Sequence, residues 1–106
     1  MDSIIFQIGE LFFRWDERKS RANFKNHGVA FQEAATCWLD ESAVETYDEK
    51  HSDTEVRWLM IGKSDAGRIL TCWYTERQFG KQEVTRLIGA RRSTTSEKSL
   101  YYEKTK

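Results

Sequence analysis

The chain has 106 residues, no proline, 13% aromatic and 32% charged side chains, and a formal net charge of zero. That size fits one domain with a modest core, and the composition favours a compact α+β unit with short connections over a disordered chain. The zero hides an asymmetry: residues 1–56 carry six basic and twelve acidic side chains, residues 57–106 eleven and five. Either the halves neutralise each other across the fold, or the second half offers a basic face to an anion or an acidic partner.

The first apolar stretch, Ile4 to Phe13, contains Gln7 and Glu10, has no basic leader and is too short to span a bilayer. A cytoplasmic protein with no membrane contact is expected. Ile4, Phe6 and Ile8 alternate as in an edge strand reaching about Arg14. Asp16 is placed to cap a helix running toward His27, with Gly28 as its left-handed stop. Arg18, Lys19, Arg21 and Lys25 give that helix a basic surface.

Phe31, Ala34, Ala35, Trp38 and Leu39 follow the i, i+3, i+4, i+7, i+8 spacing of one buried face, predicting a second helix that ends near Asp40. An acidic stretch follows, and the period then changes. Segments 42–47, 55–62, 68–76 and 83–91 are rich in β-branched and aromatic residues and predict strands. Segments 63–68 and 77–82 predict tight turns between them, hence an antiparallel meander. Thr94 with Glu97 forms a capping box for a short last helix carrying Leu100, Tyr101 and Tyr102. The order predicts an α+β fold: an antiparallel meander with two N-terminal helices and a short C-terminal helix, as one domain over residues 1–106.

Arg57, Arg68, Arg77, Arg86, Arg91 and Arg92 fall in or beside the sheet half. Arginine stays charged and offers a rigid fork of donors suited to phosphate, although strand arginines commonly just solvate a face or pair with acids. Simple alternation puts Arg86 and Arg92 on one face and Arg91 on the other, unless the strand bends after Gly89. His27 suits a helix C-terminus, and His51 lies in a charged loop near Glu55 and Arg57. Tyr101 and Tyr102 are packing residues, or one of them stacks on a base or donates a proton. Cys37 and Cys72 lack disulfide or metal spacing and predict two reduced, buried thiols. With no HxxxH, Cys/His cluster or glycine-rich phosphate loop, neither a metal nor a nucleotide cofactor is expected.

The segment from Phe13 to Ala34 resembles the opening signature of the BrnT family of bacterial type II toxins. The matching residues are Phe13, Trp15, Asp16, Lys19, Asn23, His27, Gly28, Val29, Phe31, Glu33 and Ala34. Asp48, His51, Glu55 and Arg57 before Ile61-Gly62 extend the match, as do Arg86, the Ala90-Arg91-Arg92 step, Glu97 and Tyr101. Residues 1–11 read as an N-terminal extension. Asn26 replaces a frequent basic residue and Gly89 a common serine. The resemblance implies a RelE-like fold and an RNA-cleaving toxin that inhibits translation. It further implies a small BrnA-like ribbon-helix-helix antitoxin, a toxin–antitoxin heterotetramer, and binding to operator DNA only through the antitoxin.

Metal-free RNA cleavage needs a base for the 2′-OH proton, cations for the charge on the phosphorane, and an acid for the 5′ oxygen. Arg57, Arg77 and Arg91 are the candidate cations, Glu55 or His51 the base, and Tyr101 or a lysine the acid. Arg86, Arg92 and Lys19 are candidate RNA contacts. A degenerate toxin that only binds antitoxin is the alternative. The acidic first half and a pI near 6.7 argue against direct DNA binding.

Overall fold

The computed structural model describes residues 3–51 and 55–104. The N-terminal apolar stretch folds as two strands, not one. β1 (Ser3–Ile8) and β2 (Leu11–Asp16) pair antiparallel about Gly9, whose φ of 57° disfavours any side chain. Ile4, Phe6 and Ile8 pack against the core. Asp16 caps α1 (Glu17–His27) by accepting from the Arg18 and Lys19 N–H groups, and Gly28 ends it at φ 67°.

α2 (Phe31–Ala35) is shorter than its apolar spacing predicts, because Thr36–Leu39 tighten into a 3-10 turn. The Thr36 hydroxyl donates to the Glu33 carbonyl at 2.6 Å and accepts from the Asp65 N–H at 2.9 Å. A 3-10 turn advances each residue further round the axis than an α-helix does. Leu39 therefore leaves the buried stripe and is 59% exposed. Gly62 lets this turn sit against the sheet, since a Cβ there would come within 3.1 Å of Cys37 Cβ.

β3 (Val44–Tyr47), β4 (Trp58–Lys63), β5 (Ile69–Phe79) and β6 (Gln82–Arg92) form the expected antiparallel meander, and α3 (Thr95–Lys104) follows. β5 and β6 run almost to the tip of their hairpin, so most of the predicted 77–82 turn is strand. The complete sheet has the order β1-β2-β6-β5-β4-β3, and β2 lies parallel to β6. It is therefore mostly, not wholly, antiparallel.

One sheet face packs Phe13, Trp15, Tyr74 and Leu87 against Val29, Phe31, Ala34 and Ala35. The opposite face buries Ile61 and Ile69 beneath Tyr101 of α3. Cys37 and Cys72 are free and buried in the first core. The neighbouring Cys37 and burial push the Cys72 thiol well up. No described helix is long and apolar enough to cross a membrane.

Beyond Arg14, α1 takes over from β2 beside β6. Asn23 completes the strand edge there: its amide donates to the carbonyls of Ala90 at 2.8 Å and Val29 at 2.9 Å, and accepts from the Ala90 N–H at 3.1 Å. Arg68, grouped with the other arginines by sequence, ties α2 to β5. It donates to Glu33 and to the Gly28 carbonyl. The Arg68 guanidinium holds the Glu33 carboxyl below the usual carboxylate range, against the effect of burial.

Candidate active site

A β-bulge decides which arginines meet. Trp73 pairs with Gly89 and Tyr74 with Leu87, so Ile88 has no partner across the ladder. Alternation is reset at that residue. Arg86 pairs with Thr75 and Arg91 with Thr71, and Thr71, Trp73 and Thr75 share one face of β5. Arg86 and Arg91 consequently lie on the same face, while Arg92, opposite Leu70, turns to the other. This reverses the grouping expected from unbroken alternation.

The face shared by Arg86 and Arg91 is the one α3 half covers. Arg91 is the most constrained of its cations. It reaches both Glu97 carboxylate oxygens, at 2.7 and 2.9 Å, and its guanidinium carbon stands 4.9 Å from the Trp73 ring centroid. Glu97 also accepts from the Thr71 hydroxyl and the Thr94 N–H, each at 2.8 Å. Burial raises the Glu97 carboxyl, but Arg91 and these other donors outweigh it and hold the group at about 2.

Next along the face, Arg77 pairs with Glu55 at 2.6 Å, so the structure brings together a candidate cation and a candidate base. Arg57 lines a shallow cleft of about 270 Å³ with Trp73, Ile88 and Gly89. Gly89 carries no side chain into that cleft. Arg14 of β2 lies beside Arg86 in register, with Nε donating to Ser3 Oγ at 2.7 Å and the guanidinium over the Phe79 ring at 5.5 Å.

Other candidates lie elsewhere. The Tyr101 hydroxyl donates to Asp40 at 2.7 Å inside the second core, one helical turn beyond Glu97. Burial and that bond push it up to about 12. Arg92 lines a separate cleft with Arg68, Lys98 and Tyr102. Lys19 is exposed on α1, where its backbone N–H belongs to the Asp16 cap. His51 closes a short 3-10 turn, Glu49–His51, and its side chain lies outside the described residues.

Sequence reading missed Arg14, Trp73 and Glu97 as members of this face. Alternation in β2 carried a signal for Arg14, since it stands between inward-facing Phe13 and Trp15. The Glu97 role was masked by its capping box, which it fulfils at the same time. The opposite sheet face, past the end of the helices, gathers Glu45, Glu76 and Glu83 near Trp38 and Tyr74. Burial, then the Glu83 carboxylate, pushes Glu76 up to about 7. The sheet thus separates a cationic face from an acidic one.

Comparison with known proteins agrees with both the fold and the sequence signature. The sequence pattern of the family described as "Ribonuclease toxin, BrnT, of type II toxin-antitoxin system" matches residues 15–97. The 1.1 Å crystal structure of the Brucella abortus ribonuclease toxin, BrnT, resembles this chain in fold, with a TM-score of 0.53 and 23% identity. The likeness covers 76% of this chain and 94% of that one. No curated protein sequence matches the chain. These comparisons place the chain in a class of α+β toxins from type II toxin–antitoxin systems. The chain belongs to the BrnT family.

Proposed function

We propose that the chain is a metal-independent endoribonuclease that cleaves RNA and inhibits translation, acting in the cytoplasm until a ribbon-helix-helix antitoxin neutralises it. The family assignment supports a ribonuclease toxin in general terms. The observation that carries the rest is the gathering of Arg57, Arg77, Arg86 and Arg91 with Glu55 and Trp73 on one open sheet face. In this reading Glu55 takes the proton of the 2′-OH. The 2′ oxygen then bonds to phosphorus while the bond to the 5′ oxygen breaks, and a lysine or solvent water gives a proton to that oxygen. The products are a 2′,3′-cyclic phosphate and a 5′-OH.

Arg77 and Arg57 neutralise the charge that builds on the phosphorane, and preorganised cations do this with little rearrangement. Arg77 also orients Glu55. Arg91 is fixed by Glu97 and Trp73, so it acts as a rigid positive charge at the end of the track. In this reading Tyr101 packs beneath α3 with its hydroxyl donating to Asp40 instead of acting as the acid. His51 remains the second candidate for the base. The BrnA-like antitoxin, heterotetrameric assembly and operator binding through the antitoxin belong to the same proposal.

The test is cleavage of a defined RNA by purified protein in excess chelator. Undiminished cleavage with a cyclic phosphate end is expected. Strict dependence on added Mg²⁺, or a 5′-phosphate product, would overturn the mechanism.

A further inference from the structure

One row of side chains crosses the cationic face at right angles to the strands. Arg14 of β2 stands beside Arg86 of β6, and Arg86 beside Thr75 of β5. Strands in a sheet lie about 4.8 Å apart, so the row from Arg14 to Thr75 spans about 10 Å. Like charges on adjacent strands repel unless an anion lies between them. Among the described residues neither arginine has a carboxylate partner: Arg14 reaches Ser3 and Phe79, and Arg86 has no hydrogen-bond or ion-pair partner. Thr75, which ends the row, is 2% exposed, and among the described residues its hydroxyl has no hydrogen-bond partner. Buried hydroxyls nearly always find one.

We propose that Arg14, Arg86 and Thr75 form a phosphate-binding row for the backbone of single-stranded RNA. It extends the substrate track past Arg57, Arg77 and Arg91 onto the N-terminal hairpin, and it rests on the ribonuclease reading above. Arg14 lies just outside the residues that match the family pattern. On this face Arg86 lies across the ladder from Thr75, and Trp73 and Arg77 are its neighbours along β5. A phosphate that draws Arg86 outward opens the Thr75 hydroxyl to one of its own oxygens. Phe79, 49% exposed, and Trp73 stand on the same face among the cations. Aromatic rings between cations suit unstacked bases and a phosphate chain. An acidic peptide has no such use for them.

The experiment uses the full chain and a mixed-sequence 2′-O-methyl oligoribonucleotide, which lacks the nucleophilic hydroxyl and stays intact. Its affinity is read by fluorescence anisotropy from low to physiological salt. Each phosphate contact on a single strand contributes about 0.7 to the slope of log affinity against log salt. Arg14→Ala and Arg86→Ala should each remove about that much. Arg21→Ala, on α1, should remove none. Thr75→Val should weaken binding about tenfold without lowering the melting temperature, because it deletes a hydroxyl unpartnered in the free protein. Slopes equal to wild type in both arginine variants would overturn the row, as would Thr75→Val binding like wild type. Loss of affinity for a glutamate-rich peptide with RNA binding unchanged would overturn it in favour of an acidic protein partner. Binding through these residues without cleavage of unmodified RNA would leave the row standing and overturn the ribonuclease reading. Cleavage by wild type with the variants binding normally would do the reverse.

Discussion

Glu97 performs two jobs with one carboxylate. It closes the capping box of α3 with Thr94, and it locks Arg91 in a two-pronged pair. Its side chain is 18% exposed, so the pair is better shielded than a surface salt bridge. Folding lowers this carboxyl from 4.5 to about 2. A group shifted in that direction stabilises the fold fully above its unfolded value and loses the contribution as pH falls toward the folded value. The size of the shift corresponds to on the order of 3 kcal/mol. Stability should therefore fall between about pH 4.5 and 2, and Glu97→Gln should flatten that part of the profile. Denaturant melts of both proteins across this range provide the check. Parallel acid profiles for wild type and variant would show that Glu97 contributes little.

β6 shows how a strand can be recognised while its geometry stays hidden. Its β-branched and apolar pattern is plain in the sequence, and its extent was nearly right. Nothing in that pattern marks Ile88 as the residue without a partner, because a bulge is set by the pairing with β5. One extra residue moved Arg91 to the face of Arg86 and sent Arg92 away. The parallel contact of β2 with β6 was illegible for a similar reason: it joins segments distant in the chain. The Asp16 cap, the Thr94–Glu97 capping box, the Gly28 stop and the 63–68 turn were legible because each is local chemistry, whereas the turn at Gly9 went unread. Asn23 shows the limit of local reading. Its signature position was noted, but its work is to finish the edge of β6 where β2 departs. Asn23→Ala leaves the polar groups of Ala90 and the Val29 carbonyl without this partner and should cost about 2–3 kcal/mol. Hydrogen exchange at the Ala90 amide should rise with it. Unchanged exchange and melting would mean that water replaces the amide without loss.

The sheet has two unlike faces, and they do not follow the imbalance along the chain: Glu76 and Glu83 come from the basic half and Arg14 from the acidic one. Acidic Glu45, Glu76 and Glu83 stand on the side where the helical core ends. Arg14, Arg57, Arg77, Arg86 and Arg91 stand on the other, where Arg77 pairs with Glu55 and Arg91 with Glu97. A net charge of zero thus coexists with a local field able to draw a polyanion. Family membership identifies the kind of protein, while the catalytic role of this face is a matter for kinetics. The decisive measurement is single-turnover RNA cleavage by Arg57→Ala and Arg77→Ala, with melting temperatures taken on the same preparations. Each variant should lose on the order of 10²–10³ in rate, the usual result of removing a donor aimed at charge in the transition state. Lysine at either position should restore little, since it keeps the charge without the fork. For Arg77→Ala stability should change by no more than about 0.5 kcal/mol, because the Arg77–Glu55 pair is largely exposed. Full cleavage rates in both alanine variants, with stable folds, would contradict the assignment of this face as the active site.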